Sequence, residues 1–156
     1  MALHIVFVEP EIPPNTGNIA RTCAATNTKL HIVKPLGFDI SEKAVKRAGL
    51  DYWPYVDLEV HESLNDFMEK YKNKRKFLAT TKGGHLYTEF EYRDDDMFLF
   101  GRETRGLPRD FIAKNEEMAI RIPMSENTRL RSFNLSNSAN IILFEALRQL
   151  GFPELK

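Results

Sequence analysis

Short apolar runs rich in β-branched and aromatic residues recur along the chain: "LHIVFV" at 3–8, "KLHIV" at 29–33, "KFLATT" at 76–81, "MFLFG" at 97–101 and "MAIRI" at 118–122. A weaker run, "VDLEV", lies at 56–60. Several lack clean alternation of apolar and polar positions, as strands do when both sheet faces are covered. Helical periodicity fills the gaps. Residues 16–26 set Ile19, Cys23 and Thr26 on one face beside Ala20 and Ala24. Residues 64–74 stack Leu64, Phe67, Met68 and Tyr71 behind Ser63, a suitable N-cap. A helix is predicted after Pro108. The C-terminal one carries Ala139, Ile142, Leu143, Ala146, Leu147 and Leu150 as a single stripe at ~100° per residue. Ile141 and Phe144 fall on its far side, a second apolar patch that suits another subunit. This alternation of strand and helix, with no repeat and no linker, predicts one α/β domain over residues 1–156 built on a largely parallel sheet.

Composition narrows the function classes. At 156 residues the chain can bury about two-thirds of its unfolded surface. Its 22 basic and 22 acidic residues cancel. That excludes nucleic-acid binding by bulk charge, although a local basic patch remains open. The single cysteine, Cys23, rules out an internal disulfide framework and suits a reducing compartment. The N-terminal apolar run is cut off by Glu9 and Pro10, and no stretch is long enough to span a bilayer. A soluble cytoplasmic protein with no membrane partner is expected. His4, His31, His61 and His85 are scattered without metal-ligand spacing, so no metal is expected. Trp53 reads as packing, and Lys70, Lys72, Lys74, Arg75 and Lys76 as a solvated helix end.

In a parallel sheet, ligands bind beyond the carboxyl ends of the strands, so the loops that follow strands carry the chemistry. The first is "EPEIPPNTGNIARTC". Pro13 and Pro14 are expected to hold the backbone extended, with Asn15 or Thr16 capping the next helix. Its free N–H groups would then suit a phosphate, with Arg21 facing the same crevice. In "LATTKGGH" a strand runs into two threonines and a Gly83–Gly84 turn. In "FLFGRETRGLP", Gly101 and Gly106 bracket four polar residues, and Gly101 would let a ligand approach the backbone. Glu103 is the acid held near that strand end. Ahead of the last helix, "SFNLSNS" offers short polar groups able to fix an irregular, ligand-reading loop. Neither a G-x-G-x-x-G nor a G-K-[ST] pattern occurs, so a dinucleotide fold and a P-loop are not supported.

Taken together and in order, "NTGNIAR", "FGRETRGLP" and "RIPM…RSFNLSNSANIILFEALRQ" resemble the SPOUT superfamily of RNA methyltransferases. More closely, they resemble its YibK/TrmL group, the tRNA (cytidine/uridine-34)-2′-O-methyltransferases, from about residue 3 to residue 152. The resemblance implies a Rossmann-like sheet whose C-terminal segment threads a trefoil knot, a rare exception to un-knotted chains. It also implies S-adenosylmethionine held by three loops. Ala79, Thr80 and Thr81 would lie beside the adenosine; Gly101, Glu103 and Gly106 would form a second wall. Ile122, Pro123, Met124, Ser132, Asn134 and Leu135 would form the third. No second cofactor is implied.

The implied substrate is a tRNA anticodon stem-loop, and the implied assembly is a homodimer that brings one subunit's Arg21 near the other's cofactor loops. The family gives proton removal to the motif arginine, here Arg21, with Asn15 beside it and Glu103 completing the catalytic set. A guanidinium holds its proton well above neutral pH. Arg21 is therefore expected as a phosphate anchor and electrostatic activator. Lys43, Lys46, Arg47, Arg102, Arg105, Arg129 and Arg131 are the candidates for RNA contact. One departure stands out: where close relatives carry Tyr in the last helix, this chain has Phe144. Methylation of another RNA, such as rRNA, and a cofactor-holding RNA-binding module with little catalysis stay as alternatives.

Overall fold

A computed structural model describes residues 2–38, 53–126 and 133–156. Its frame is a seven-stranded sheet in the order β3-β2-β1-β6-β4-β7-β5. The strands are β1 (His4–Val8), β2 (Lys29–Val33), β3 (Leu58–His61), β4 (Lys76–Ala79), β5 (His85–Leu86), β6 (Met97–Phe100) and β7 (Ala119–Arg121). Every pairing is parallel. Helices α1 (Pro13–Ala25) and α4 (Leu135–Gln149) pack against each other over one face. There Ile5, Phe7, Phe98 and Ile120 meet Ile19, Cys23, Ile142 and Leu143. On the other face Val6, Val8, Leu78 and Leu99 meet Phe67 of α2 (Leu64–Lys70) and Ile112 of α3 (Arg109–Lys114). Every residue of β1 and β6 is buried, which explains why those runs show no alternation. None of the described helices is long and apolar enough to cross a membrane.

Most predicted elements stand within two or three residues of their expected limits. Ser63 caps α2 as expected, its Oγ accepting the Asp66 amide at 3.0 Å, although the helix ends at Lys70. The α4 stripe is buried through Leu147. β5 is an addition: two residues are too few to show periodicity, and among the described residues β5 pairs with β7 alone. The Ser/Asn run expected to take part in the knot begins at Ser132, which lies outside the described residues.

The start of α1 corrects the sequence reading. Pro13 and Pro14 do not delay the helix; they open it, with Ile12 at the N-cap and no side-chain cap from that position. The first helical turn needs no intrahelical N–H donor, and proline already has a helical φ, so the pair fits there.

The histidines need a second correction. His4, His31 and His61 come from three adjacent strands and are buried. His4 Nδ1 lies 2.9 Å from His31 Nε2, and His31 Nδ1 lies 2.9 Å from His61 Nε2. Ring centroids are 5.1 and 5.2 Å apart with planes inclined by 30° and 23°. Such spacing is that of rings meeting edge to edge through their nitrogens. Scattered in sequence, they form one chain because parallel strands place residues 4, 31 and 61 on the same sheet face.

Lys70, Lys72 and Lys74 of the basic run are exposed as expected of a solvated end, but the run is also ion-paired. Lys70 reaches Glu59 at 2.5 Å, Lys74 reaches Asp95 at 2.7 Å, and Arg75 grips Asp96 at 2.6 and 2.9 Å. Lys76 is a buried β4 residue whose ammonium donates to the carbonyls of Tyr71 and Lys74. These contacts fasten the α2–β4 connection to its neighbours.

Candidate active site

At the carboxyl ends of β4, β6 and β7 the sheet opens into a cleft of about 740 Å³. Its walls include the three segments expected from the sequence. After β4 come Ala79, Thr80 and Thr81. The Thr80 hydroxyl is engaged locally, donating to the Lys82 carbonyl at 3.0 Å and accepting the Lys82 amide at 3.2 Å. The Thr80 amide also donates to the Ile120 carbonyl at 2.9 Å, so Thr80 is held to its neighbours through both side chain and N–H. The second wall is 101–106. A Cβ on Gly101 would stand 1.9 Å from the Gly106 backbone, so only glycine fits. The loop closes on itself there, with the Arg102 amide donating to the Gly106 carbonyl at 3.3 Å and the reverse bond at 2.8 Å. Ile122, Met124, Asn134 and Leu135 supply the third wall. The Asn134 side chain also caps α4, accepting the Ser136 amide at 2.9 Å and the Asn137 amide at 3.3 Å. Part of the polar crowd before α4 thus serves the helix start.

Glu103 joins this cleft to α1. Its carboxylate accepts the amides of Glu11 at 2.9 Å and Ile12 at 2.7 Å, and the Asn15 carboxamide at 3.2 Å. The anion that the helix N-terminus attracts is therefore supplied by the protein, which corrects the expectation of a free phosphate site there. Two further ties run the other way. Glu9 pairs with Arg102 at 2.8 Å, and Glu11 accepts the Thr104 amide at 3.2 Å and hydroxyl at 2.7 Å. Those Thr104 bonds hold the Glu11 carboxyl below its ordinary range.

Of the expected site residues, the cleft gathers Asn15, Ala79, Thr80, Thr81, Gly101, Glu103, Gly106, Ile122, Met124, Asn134 and Leu135. Pro123 is exposed and does not line it. Arg21 does not share the crevice with Asn15: it is exposed on α1, whereas Asn15 is buried. Six residues on, the helix has turned the two apart. Arg102 and Arg105 line the rim, but Arg102 is already committed to Glu9, which weakens its claim as an RNA contact. Ser132, Lys43, Lys46, Arg47, Arg129 and Arg131 lie outside the described residues. Sequence reasoning missed Ile12, Thr104 and Phe133 in the lining. Glu9 and Glu11 were also missed; they follow β1, where the left-handed backbone at Glu9 (φ 53) removes any strand alternation that would have pointed to them. Among the described residues, His31, Glu59 and His61 bring three donor atoms within 4.8 Å of one another, away from the cleft lining. There the imidazoles are engaged with each other, and Glu59 with Lys29, Lys70 and Tyr71.

A model of the SpoU rRNA Methylase family matches residues 2–144. The chain belongs to that family. It is 52% identical over 159 residues to a Bacillus subtilis (strain 168) relative described as a candidate tRNA (cytidine(34)-2′-O)-methyltransferase, covering 100% of this chain and 98% of that one. It is 47% identical over 152 residues to the tRNA (cytidine(34)-2′-O)-methyltransferase of Escherichia coli (strain K12), covering 97% and 96%. A solved structure concerned with 2-OH methylation of C/U34 on tRNA superposes with a TM-score of 0.87 at 43% identity, covering 96% of this chain and 97% of that one. The motifs that suggested a SPOUT methyltransferase thus belong to a likeness running through nearly the whole chain.

Proposed function

We propose that this SpoU-family protein is an S-adenosylmethionine-dependent methyltransferase acting on the ribose 2′-OH of tRNA nucleotide 34, a cytidine or modified uridine. The observation that carries the reading is the cleft. Glycines and backbone lie where a ligand must come close, and Ile122, Met124 and Leu135 add apolar surface. At about 740 Å³ it has room for S-adenosylmethionine, within the usual range for a small-molecule site. When bound, that cofactor supplies an activated methyl group through its sulfonium. Full-length relatives named for tRNA cytidine-34 methylation point to the substrate.

The chain's own residues have three tasks. The loop 101–106 holds the cofactor side and, through Glu103, fixes Asn15 at the cleft wall. Asn15 orients the approaching ribose. Arg21, exposed on α1 and delivered to the cleft of a second subunit, anchors an RNA phosphate and favours passage of the 2′-OH proton to that phosphate as the methyl group is transferred. The working unit is therefore a cytoplasmic homodimer on an anticodon stem-loop. Arg105 and the basic side chains at 43, 46, 47, 129 and 131 would guide the RNA.

The test is methyl transfer from labelled cofactor into bulk RNA, with the methylated nucleotide mapped. Label at the 2′-O of tRNA position 34 is expected. Label confined to rRNA would reassign the substrate. Cofactor binding with no label in any RNA would mean a binding module.

A further inference from the structure

We propose that Glu11 is a positioning residue for methyl transfer, acting through Thr104 to keep the cofactor-side loop and the Asn15 segment in fixed register. This rests on the reading of the cleft given above. Loop 101–106 is a closed turn with three outward handles, Arg102, Glu103 and Thr104. All three are held by the segment between β1 and α1. Arg102 goes to Glu9, Thr104 goes to Glu11, and Glu103 takes the amides of Glu11 and Ile12 together with Asn15. Glu11 and Glu103 thus bind in opposite directions across the same gap: each segment sends one carboxylate to the other's donors.

Such a reciprocal clasp has a consequence that a single contact lacks. Displacing Thr104 frees Glu11, and Glu11 is also the residue whose amide Glu103 holds. Loop and helix start therefore shift together, and Asn15 moves with the wall that holds the cofactor. Glu11 does not line the cleft, whereas Thr104 and Asn15 do, so it acts on the reaction only through them. It stands two residues after Glu9, whose left-handed backbone (φ 53) turns the chain out of β1.

Hydrogen-bond chemistry makes the test selective. Glu11 needs one acceptor oxygen for Thr104, so Glu11→Gln keeps the contact and Glu11→Ala removes it. Thr104→Ser keeps both donors, and Thr104→Val removes the hydroxyl at similar shape. S-adenosylmethionine affinity by calorimetry, single-turnover methylation of tRNA, and amide hydrogen exchange over 11–15 and 102–106 are measured for all four and for Glu11→Ala/Thr104→Val. Glu11→Ala and Thr104→Val should each weaken the cofactor and slow transfer by roughly tenfold, the scale of a lost hydrogen bond. The double variant should be no worse than the worse single one, and both conservative variants should stay within about twofold of wild type. In Glu11→Ala, exchange at Ile12 and Asn15 should quicken together with Thr104. Additive losses, equal damage from Glu11→Gln and Glu11→Ala, or faster exchange at Thr104 alone would each overturn the clasp. Wild-type protein that leaves tRNA unlabelled would overturn the substrate reading instead, with affinity and exchange still deciding for or against the clasp.

Discussion

The Glu103 carboxylate accepts the Ile12 amide at 2.7 Å, so the start of α1 is capped from a position 91 residues away in sequence. Local capping would have placed a Ser, Thr, Asn or Asp before the helix; here Ile12 occupies the N-cap and the anion comes from loop 101–106. Glu103→Gln must turn an NH2 group toward one of the donors now met by oxygen. The expected result is a loss of about 1–2 kcal/mol in stability, the scale of a lost cap, with a fall in methylation. Thermal unfolding and tRNA methylation measure the two. An unchanged melting temperature and rate would show that the cap is idle.

Two glycines separate contact from conformation. At Gly101 an added Cβ would lie 1.9 Å from Gly106 backbone, whereas at Gly83 it would meet nothing within 4 Å. Gly101→Ala should therefore force the loop open and abolish cofactor binding. Gly83 has φ +67, so Gly83→Ala should cost only about 1–2 kcal/mol of backbone strain and spare most of the affinity. Calorimetry on both variants gives the comparison; equal affinities would mean that the closed turn plays no part in binding.

The sheet was legible in the sequence because burial on both faces leaves continuous apolar runs, and the α4 stripe because 3.6-residue periodicity survives packing. The cleft was legible through Gly101, Gly106 and Glu103, residue types with little other reason to follow an apolar strand. What escaped reading is long-range. Nothing local about Glu11 says that it meets Thr104, or about His4 that it meets His31. Both contacts depend on which strands become neighbours, and the order β3-β2-β1-β6 was not available from periodicity. The Pro13–Pro14 error was one of rule choice: prolines break helix interiors but suit helix starts.

The histidine chain makes stability depend on pH. Asp95 can only accept, so His4 Nε2 carries the proton toward it at 3.3 Å. His4 Nδ1 then accepts from His31 Nε2, and His31 Nδ1 from His61 Nε2. One neutral tautomer satisfies the whole row. Burial pushes all three imidazoles below 6.5, and burial with the flanking His4 and His61 takes His31 to about 3. Lys74 beside Asp95, and Lys29 and Lys70 beside Glu59, add positive charge at both ends. The sign follows. Above pH 6.5 both folded and unfolded histidines are neutral and stability is intact; below it the unfolded chain gains protons that the fold refuses. Stability should fall as the pH drops from 6.5 toward 3. In urea unfolding at about pH 7.5 and about pH 5, wild type should lose roughly 1–3 kcal/mol, and His31→Phe should start lower but change less. A wild-type curve flat over that interval would sink the assignment.

Arg21 is exposed on α1 and away from its own chain's cleft. Arg21→Ala should therefore leave folding and cofactor affinity within a few-fold of wild type while reducing single-turnover methylation by roughly 100-fold, the scale of one lost electrostatic stabiliser. Equal losses in affinity and turnover would make Arg21 a structural residue.

The role proposed for Arg21 calls for a second subunit. Ile141 and Phe144 are 36% and 45% exposed on α4. Because α4 packs beside α1, they share one side of the sheet with Arg21. An arginine outside its own chain's cleft lining and an apolar patch on the adjoining helix are both accounted for by a two-fold interface over this face. Isologous pairing would cover Ile141 and Phe144 with their own copies and carry each Arg21 toward the other cleft. Covering large side chains of this kind stabilises by about 1.5–3 kcal/mol for each one fully buried, and these start partly covered, so each contributes less. The pair alone would not hold a dimer, but a charge placed among them would oppose it. Ile141→Glu should sediment as a monomer at concentrations where wild type is a dimer, bind cofactor with reduced affinity or none lost, and fail to methylate tRNA. Mixing it with Arg21→Ala should restore nothing, since Ile141→Glu cannot pair. Phe144→Tyr, which adds only a hydroxyl at the patch edge, should remain dimeric and active. Wild type that stays monomeric and fully active across a dilution series would show that Arg21 works without a partner and that the patch has another use.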